Sequence, residues 1–211
     1  MLSLPEPLPL YSSRNQFVEL IANERLTTGA EIGVQRGIFS EILLRNWTNC
    51  AEYHVIDLWA HQKHYLDGAN VRDNLQETTY QMARQRLKRF EKVLHYHRNF
   101  SNLAVVELKD DSLDFIYIDA RHDYVGVWED LKLYWPKLKR NGIFAGHDYL
   151  DLSEVKARAP KEDWSVDAYG VRRTDNKAVK SAVNEFAKER SLQVLQTSQE
   201  KYPSWYLRKY L

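Results

Sequence analysis

The sequence predicts an α/β protein built on a mainly parallel sheet with helices on both faces. Short apolar segments typical of buried strands alternate with helix-length segments along the 211-residue chain, and LDFIYI at 113–118 is the clearest strand. Two strand segments near the C-terminus, 192–196 and 205–210, are joined by a short turn that contains Pro203. Such a short link implies antiparallel pairing, so we expect one antiparallel strand at an otherwise parallel edge.

The remaining elements follow from capping residues and apolar periodicity. Ser13 and Gln16 have the spacing of a capping box, and apolar residues at helical spacing follow them. Strands are predicted at 30–34, 53–58, 93–97, 113–118 and 142–145. Helices are predicted at 38–47, 75–90 and 102–108, and across the apolar stripes at 127–138 and 179–186.

This length predicts one domain with longer connections. Residues 1–12 are expected to form an irregular arm and residues 13–211 a single domain. The segment 59–80 is too long for a simple connection and is expected to form a lid over a bound ligand, whereas 149–175 is expected to be a long loop. Aromatic candidates for lining an acceptor pocket are Trp59, Tyr65, Tyr80, Tyr124 and Tyr149.

Composition restricts the class of protein. The 30 basic and 29 acidic residues leave a net charge of +1, which disfavours a dedicated nucleic-acid binder. We expect no membrane span, because no apolar segment is long enough, and no secretory signal, because prolines interrupt the N-terminus. Cys50 is the only cysteine, which excludes an internal disulfide and favours a cytoplasmic location.

Polar and acidic residues follow the predicted strands, at the edge where open α/β sheets bind ligands. Gly33 and Gly37 flank the turn after the first strand, where glycine lets a ligand approach the backbone closely. Asp57 ends the second strand, and a carboxylate there can accept hydrogen bonds from both ribose hydroxyls of a nucleoside. Because Gln35 replaces the middle glycine of the G-x-G-x-x-G pattern, a nucleoside without a pyrophosphate is favoured.

The fourth and fifth strands end in carboxylates and histidines. Neighbouring strands lie about 4.8 Å apart, so Asp119 and Asp148 are expected to be close together. With His147 they are candidate ligands for Mg²⁺ or Mn²⁺, which would orient and acidify an acceptor hydroxyl. The alternative is that His122 or His147 acts as a general base without a metal. Asp123 is expected to cap the helix that follows.

The chain resembles class I S-adenosylmethionine-dependent methyltransferases in four ordered segments, which are EIGVQRG, HVIDLW, LDFIYIDARHDY and GIFAGHDY. The resemblance covers about residues 15–210, including a closing helix and hairpin that ends in PSWYLRK. The branch that it resembles contains macrocin-type sugar O-methyltransferases. The resemblance implies a Rossmann-like methyltransferase fold, with a doubly wound seven-stranded sheet of order 3-2-1-4-5-7-6 and strand 7 antiparallel.

The same resemblance implies S-adenosylmethionine as the cofactor. It implies cofactor contacts at Glu31, Gly33, Gly37, Asp57, Ser101 and Asp119. The first three match the loop near the methionine part, Asp57 matches the ribose-binding acid, and Ser101 lies where the family contacts the adenine side. Asp119 matches an acid near the cofactor amino group and, in metal-dependent members, near the metal.

The residues after the fourth strand bear on the reaction. Asp119 is followed by Ala-Arg-His and not by the prolines found in enzymes that methylate exocyclic amines, which favours an oxygen acceptor. We expect O-methylation of a small-molecule hydroxyl of sugar or phenolic type, catalysed by Asp119, His122, His147 and Asp148. The alternatives are a catalytically silent S-adenosylmethionine- or nucleoside-binding module and an RNA methyltransferase. No nucleic-acid or membrane partner is expected, and a homo-oligomer stays an open alternative.

Overall fold

A seven-stranded sheet forms the centre of the computed structural model, which describes residues 7–210. Its strands are β1 (Thr28–Ile32), β2 (Glu52–Asp57), β3 (Leu94–Arg98), β4 (Leu113–Ile118), β5 (Leu138–Gly146), β6 (Leu195–Gln196) and β7 (Trp205–Arg208). The helices are α1 (Phe17–Asn23), α2 (Ile38–Asn46), α3 (Asp73–Leu87), α4 (Ser101–Ala104), α5 (Tyr124–Tyr134), α6 (Leu152–Arg158) and α7 (Val179–Glu189). Short 3₁₀ helices lie at Arg14–Gln16, Lys88–Val93, Val105–Glu107 and Trp135–Lys137. Half of the predicted N-terminal arm, residues 1–6, lies outside the described residues.

The strand order is β3-β2-β1-β4-β5-β7-β6. Strands β1 to β5 pair in parallel, and β7 is antiparallel to both β5 and β6. The predicted fold class, strand order and antiparallel strand are therefore confirmed. Strand order reverses between β1 and β4, which creates the switch point where open α/β sheets bind ligands.

Strand β4 shows how the sheet separates two apolar layers. Its residues alternate between them, with Phe115 and Tyr117 facing one layer and Ile116 and Ile118 facing the other. All four side chains are buried, because helices cover both faces of the parallel part of the sheet. Between residues 7 and 210, no helix combines the length and apolar character needed to cross a membrane.

Several element boundaries differ from the predicted ones. The predicted loop at 149–175 contains helix α6, which begins at a capping box formed by Asp151 and Glu154. The final part of the predicted lid at 59–80 belongs to α3, which begins at Asp73. Strand β6 keeps only two of the five residues predicted for it, at 195–196. These differences leave the order of the elements unchanged.

The carboxyl ends of β1 and β4 are in direct backbone contact. The amide of Asp119 donates to the carbonyl of Ile32 over 2.6 Å, and Gly33 then turns with a φ of 89°. A Cβ atom at Gly33 would lie 1.8 Å from the carbonyl oxygen of Asp119. Glycine is required here for its positive φ and for its small volume.

We therefore expect Gly33→Ala to lower the free energy of unfolding by at least about 2 kcal/mol, because strain at positive φ adds to a steric clash with backbone. Gly68→Ala is the matched control, since a Cβ there meets only the Glu162 carboxylate at 3.5 Å. Urea denaturation of both variants measures the difference. Equal stabilities for the two variants would contradict the close contact between β1 and β4.

Candidate active site

A cavity of about 390 Å³ lies at the carboxyl ends of the parallel strands, above the switch point. This volume is within the range of small-molecule sites. Each of the five parallel strands contributes a lining residue at or just after its end, and these are Gly33, Asp57, Ser101, Asp119 and Asp148. The predicted lid covers one side of the cavity through Gln62, Tyr65, Asp67 and Asn70. Its mobility stays a prediction.

Asp57 connects the loop that follows β1 to the end of β2 through hydrogen bonds. Its Oδ2 accepts the amides of Val34 (2.9 Å) and Gln35 (2.7 Å), and its Oδ1 accepts the amide of Trp59 (2.8 Å). Burial raises the pKa of Asp57, and these three hydrogen bonds oppose that shift. A carboxylate accepts about four hydrogen bonds, so in this conformation Asp57 has capacity for about one ligand hydroxyl and not for two.

Glu31 and Gly37 do not line the cavity. The Glu31 carboxyl accepts from the Ser40 hydroxyl (2.5 Å) and the Tyr53 hydroxyl (3.0 Å). Burial raises the pKa of Glu31 to about 8. Gly37 precedes helix α2 with a φ of 69°. These two predicted cofactor residues therefore lie outside the cavity lining, and their contact with a cofactor stays a prediction.

Three predicted residues form a compact cluster, which we call the cavity cluster: Asp119, His122 and Asp148. One potential ligand atom from each lies within 4.8 Å of the others. The Nε2 atom of His122 is 3.0 Å from Asp148 Oδ2 and 3.5 Å from Asp119 Oδ1. On the other side of the ring, Nδ1 lies 3.1 Å from Asp67 Oδ2 and 3.0 Å from the Tyr65 hydroxyl.

The charges of the cavity cluster are strongly interdependent. Burial lowers the pKa of His122, but Tyr65 and the Asp148 carboxylate outweigh burial and raise it well above its usual range. Burial raises the pKa of Asp148, but His122 and His147 outweigh it and hold that pKa well below its usual range. The protein alone therefore favours an imidazolium between carboxylates. The buried Nε2 atom of His122 lies between the carboxylates of Asp119 and Asp148 and makes no well-aligned hydrogen bond with either.

His147 and Arg14 contact the carboxylates from outside the cavity. The Nδ1 atom of His147 lies 3.2 Å from Asp148 and 3.8 Å from Asp119. Arg14 Nη1 lies 3.2 Å from Asp119 Oδ2 and 3.3 Å from the Tyr117 hydroxyl. The structure thus brings His122, and not the predicted His147, into the compact set with both carboxylates. Arg14 was missed because the capping box that encloses it indicates the start of a helix and not a ligand site.

The aromatic lining differs from the predicted one. Of the five aromatic candidates only Tyr65 lines the cavity, whereas three aromatic residues that were not among them also line it: Phe100, Trp164 and Tyr202. Trp164 follows α6 and Tyr202 lies in the C-terminal hairpin, so only the tertiary fold brings them to the cavity. Asp123 caps α5 as predicted, accepting the Gly126 amide over 2.9 Å.

Comparison with known families identifies the class of protein. A family profile described as "Methyltransferase domain" matches residues 30–149, more than half of the chain. The chain therefore belongs to this family of methyltransferase domains. No curated protein sequence matches it.

Solved structures of O-methyltransferases share the fold at low sequence identity. TomG from Streptomyces achromogenes, involved in tomaymycin synthesis and solved with S-adenosylmethionine, is 14% identical with a TM-score of 0.60, covering 99% of this chain and 82% of its own. An O-methyltransferase from Bacillus cereus, in complex with S-adenosylhomocysteine, is 15% identical with a TM-score of 0.59, covering 98% and 84%. An O-methyltransferase family protein from Burkholderia thailandensis is 12% identical with a TM-score of 0.61, covering 92% and 55%.

The raised pKa of Glu31 predicts a pH-dependent stability. The folded protein holds a proton on Glu31 up to about pH 8, whereas the unfolded chain releases it near pH 4.5. The free energy of unfolding should therefore fall as the pH rises between these values. Glu31→Gln removes this titration. As the pH rises, the free energy of unfolding of wild type should therefore fall relative to that of the variant, by up to about 1.4 kcal/mol per pH unit.

Urea denaturation of both proteins at pH 5, 6, 7 and 8 measures this difference. A difference that stays constant across the series would mean that Glu31 is ionised in the folded protein.

Proposed function

We propose that this protein transfers a methyl group from S-adenosylmethionine to a hydroxyl of a small molecule. One observation carries the proposal: a single cavity joins the Gly33 turn, Asp57 and the cavity cluster. Membership of the methyltransferase domain family supports the reaction type. The two structural neighbours solved with S-adenosylmethionine and S-adenosylhomocysteine support the choice of donor.

The charge of the cavity also favours this donor. Five acidic side chains line it, and these are Asp57, Asp67, Asp119, Asp148 and Glu162. The basic side chains that line it are Arg121 and His122. An acidic cavity attracts the sulfonium and ammonium groups of S-adenosylmethionine and repels the pyrophosphate of a dinucleotide.

In our proposal the donor lies across the switch point. Its adenosine part occupies the side lined by Asp57 and Ser101, and its methionine part lies along Gly33, where the missing side chain lets it approach the backbone. Asp119 accepts from the donor ammonium. Arg14 Nη1 lies 3.2 Å from Asp119 Oδ2 and forms an ion pair with this carboxylate.

The acceptor hydroxyl is proposed to bind beside the cavity cluster. Its oxygen attacks the sulfonium methyl in line, the carbon–sulfur bond breaks to leave a neutral thioether, and the hydroxyl proton leaves to a base. Neutral His122 is that base, accepting the proton at Nε2. The positive sulfonium lowers the pKa of His122 when the donor binds, which favours the neutral imidazole that catalysis requires.

A divalent ion also fits the cavity cluster. Two carboxylates and one imidazole are donors that suit Mn²⁺ or Mg²⁺. Nε2 of His122 faces both carboxylates without a well-aligned hydrogen bond, and such an ion would satisfy it. We propose Asp119, His122 and Asp148 as its ligands, with His147 orienting Asp148. When bound, the ion supplies Lewis acidity to the acceptor hydroxyl.

The walls of the cavity suit a ring-shaped acceptor. The aromatic residues Tyr65, Trp164 and Tyr202 line a cavity that also carries many hydrogen-bonding groups. Sugars and phenols combine a ring face with hydroxyls, so we propose an acceptor of one of these two types. A sugar acceptor would agree with the resemblance of the sequence to macrocin-type sugar O-methyltransferases.

Donor binding is tested by Asp57→Asn and its matched control, Asp114→Asn. Asp57 accepts the amides of Val34 and Gln35, which follow β1. Asp114 accepts the amides of Thr27 and Thr28 at the other end of the same strand. Asp57→Asn should weaken S-adenosylhomocysteine binding about 10- to 100-fold, the effect of losing a charge-assisted hydrogen bond. Asp114→Asn should leave the affinity unchanged.

Titration calorimetry measures both affinities. Equal affinities for wild type and both variants would exclude Asp57 from the site, and binding of NAD in place of S-adenosylhomocysteine would overturn the proposed function.

A chelator distinguishes the two proposed routes of proton removal, which are a divalent ion in the cavity cluster and His122 as a base without an ion. If a divalent ion is required, EDTA abolishes S-adenosylhomocysteine release with responsive sugar or phenolic acceptors, Mn²⁺ restores it, and donor affinity changes little. Mn²⁺ binding followed by electron paramagnetic resonance should then weaken at least about 10-fold in Asp148→Asn and His122→Ala, and less in His147→Ala.

Full activity in excess EDTA would exclude the ion. His122→Ala should then lower the rate by about 10²- to 10⁴-fold, the usual contribution of a general base.

A further inference from the structure

One carboxylate of the cavity, that of Glu162, lies where the predicted lid meets the segment that follows α6. This segment contacts the lid through the amide of Asp163, which donates to the carbonyl of Leu66 over 2.9 Å. Glu162 Oε1 lies 3.5 Å from the position that a Cβ atom would take at Gly68. Glu162 therefore belongs to the wall of the cavity that these two segments form together.

The other acidic side chains of the cavity already have partners. These partners are three backbone amides for Asp57, Arg14 for Asp119, and His122 for both Asp67 and Asp148. Arg172, which is close to Glu162 in sequence, pairs with Asp163 over 2.6 Å. Arg121, which lines the cavity, pairs with Asp123 over 2.6 Å. Among residues 7–210, no ion pair joins Glu162 to a lysine, arginine or histidine.

A buried hydrogen-bond donor two residues beyond Glu162 also lacks a partner. Trp164 lines the cavity and is 1% exposed, and its indole N–H makes no hydrogen bond to any of the described residues. A polar group that is buried without a hydrogen bond destabilises the protein alone. A ligand that carries both an ammonium group and a hydroxyl oxygen offers a donor to Glu162 and an acceptor to this N–H.

Repulsion between carboxylates also favours a cationic ligand at Glu162. Burial raises the pKa of Glu162, and the neighbouring Asp67 and Asp148 carboxylates raise it further. A cation bound at Glu162 would relieve this repulsion, whereas an anionic ligand group would increase it.

The proposed position of the donor leaves Glu162 to the acceptor. The donor ammonium is assigned to Asp119 and the adenosine to the side lined by Asp57 and Ser101, and all three residues follow or end parallel strands. Glu162 and Trp164 follow α6 and lie outside those strands. They therefore belong to the part of the cavity that the donor does not fill.

We propose that Glu162 is a specificity-determining residue that binds an ammonium group of the acceptor. The substrate is then a hydroxyl compound that also carries an amine, such as an amino sugar or a phenolic amine. Ammonium and carboxylate form a charge-assisted hydrogen bond, and the aromatic rings of Trp164 and Tyr202 can add cation–π attraction. This inference rests on the proposed function, because it identifies the acceptor of that reaction.

Two series of probes that differ in charge test this inference. Tyramine, tyrosol and para-hydroxyphenylacetate are phenols of similar size whose side chains are cationic, neutral and anionic, and glucosamine, glucose and glucuronate form the matching sugar series. Titration calorimetry measures their binding to the complex with S-adenosylhomocysteine. In at least one series, the cationic member should bind at least about 10-fold more tightly than the neutral one, and the anionic member should bind most weakly.

Glu162→Gln should reduce this preference for the cation to less than about 3-fold and leave the affinity for S-adenosylhomocysteine unchanged. Glu189→Gln is the matched control, because Glu189 ends α7, does not line the cavity and has a 54% exposed side chain, and it should leave the preference unchanged.

The absence of a preference for the cation in both series, or a preference that persists in Glu162→Gln, would overturn this inference and leave the proposed function standing. Weaker binding of S-adenosylhomocysteine by Glu162→Gln would assign Glu162 to the donor and would also overturn it. Wild type that does not bind S-adenosylhomocysteine would overturn the proposed function, and this inference with it.

Discussion

The contact between the ends of β1 and β4 is the constraint on which the candidate site depends. Gly33 lies so close to the carbonyl of Asp119 that no side chain fits between them. This contact brings the first loop and the residues after β4 to the same cavity at the switch point. Asp57 then holds the loop by accepting two of its amides. A ligand at this point meets backbone on one side and carboxylates on the other.

Charge balance in the cavity cluster is the second constraint. The cavity cluster places two carboxylates beside one imidazole, and burial of these groups requires a positive charge that balances the carboxylates. In the cavity cluster, a proton on His122 supplies it, and we propose that a cationic donor or a divalent ion displaces that proton.

Much of the fold could be predicted from the sequence because strand and helix periodicities are strong. The segment LDFIYI occupies β4 at the predicted residues, and strand adjacency brings Asp119 and Asp148 together. The choice between His122 and His147 could not be predicted, because side-chain directions after a strand depend on the local turn. Asp148, for example, has a φ of 57°. Arg14 and Trp164 reach the site only through tertiary packing.

A crystal structure of the protein with S-adenosylhomocysteine tests the central claim most directly. The account predicts that the ribose lies within hydrogen-bonding distance of Asp57, that the adenine lies beside Ser101, and that the sulfur faces the cavity cluster. A ligand bound outside this cavity, or bound with its sulfur turned away from Asp119, His122 and Asp148, would contradict it.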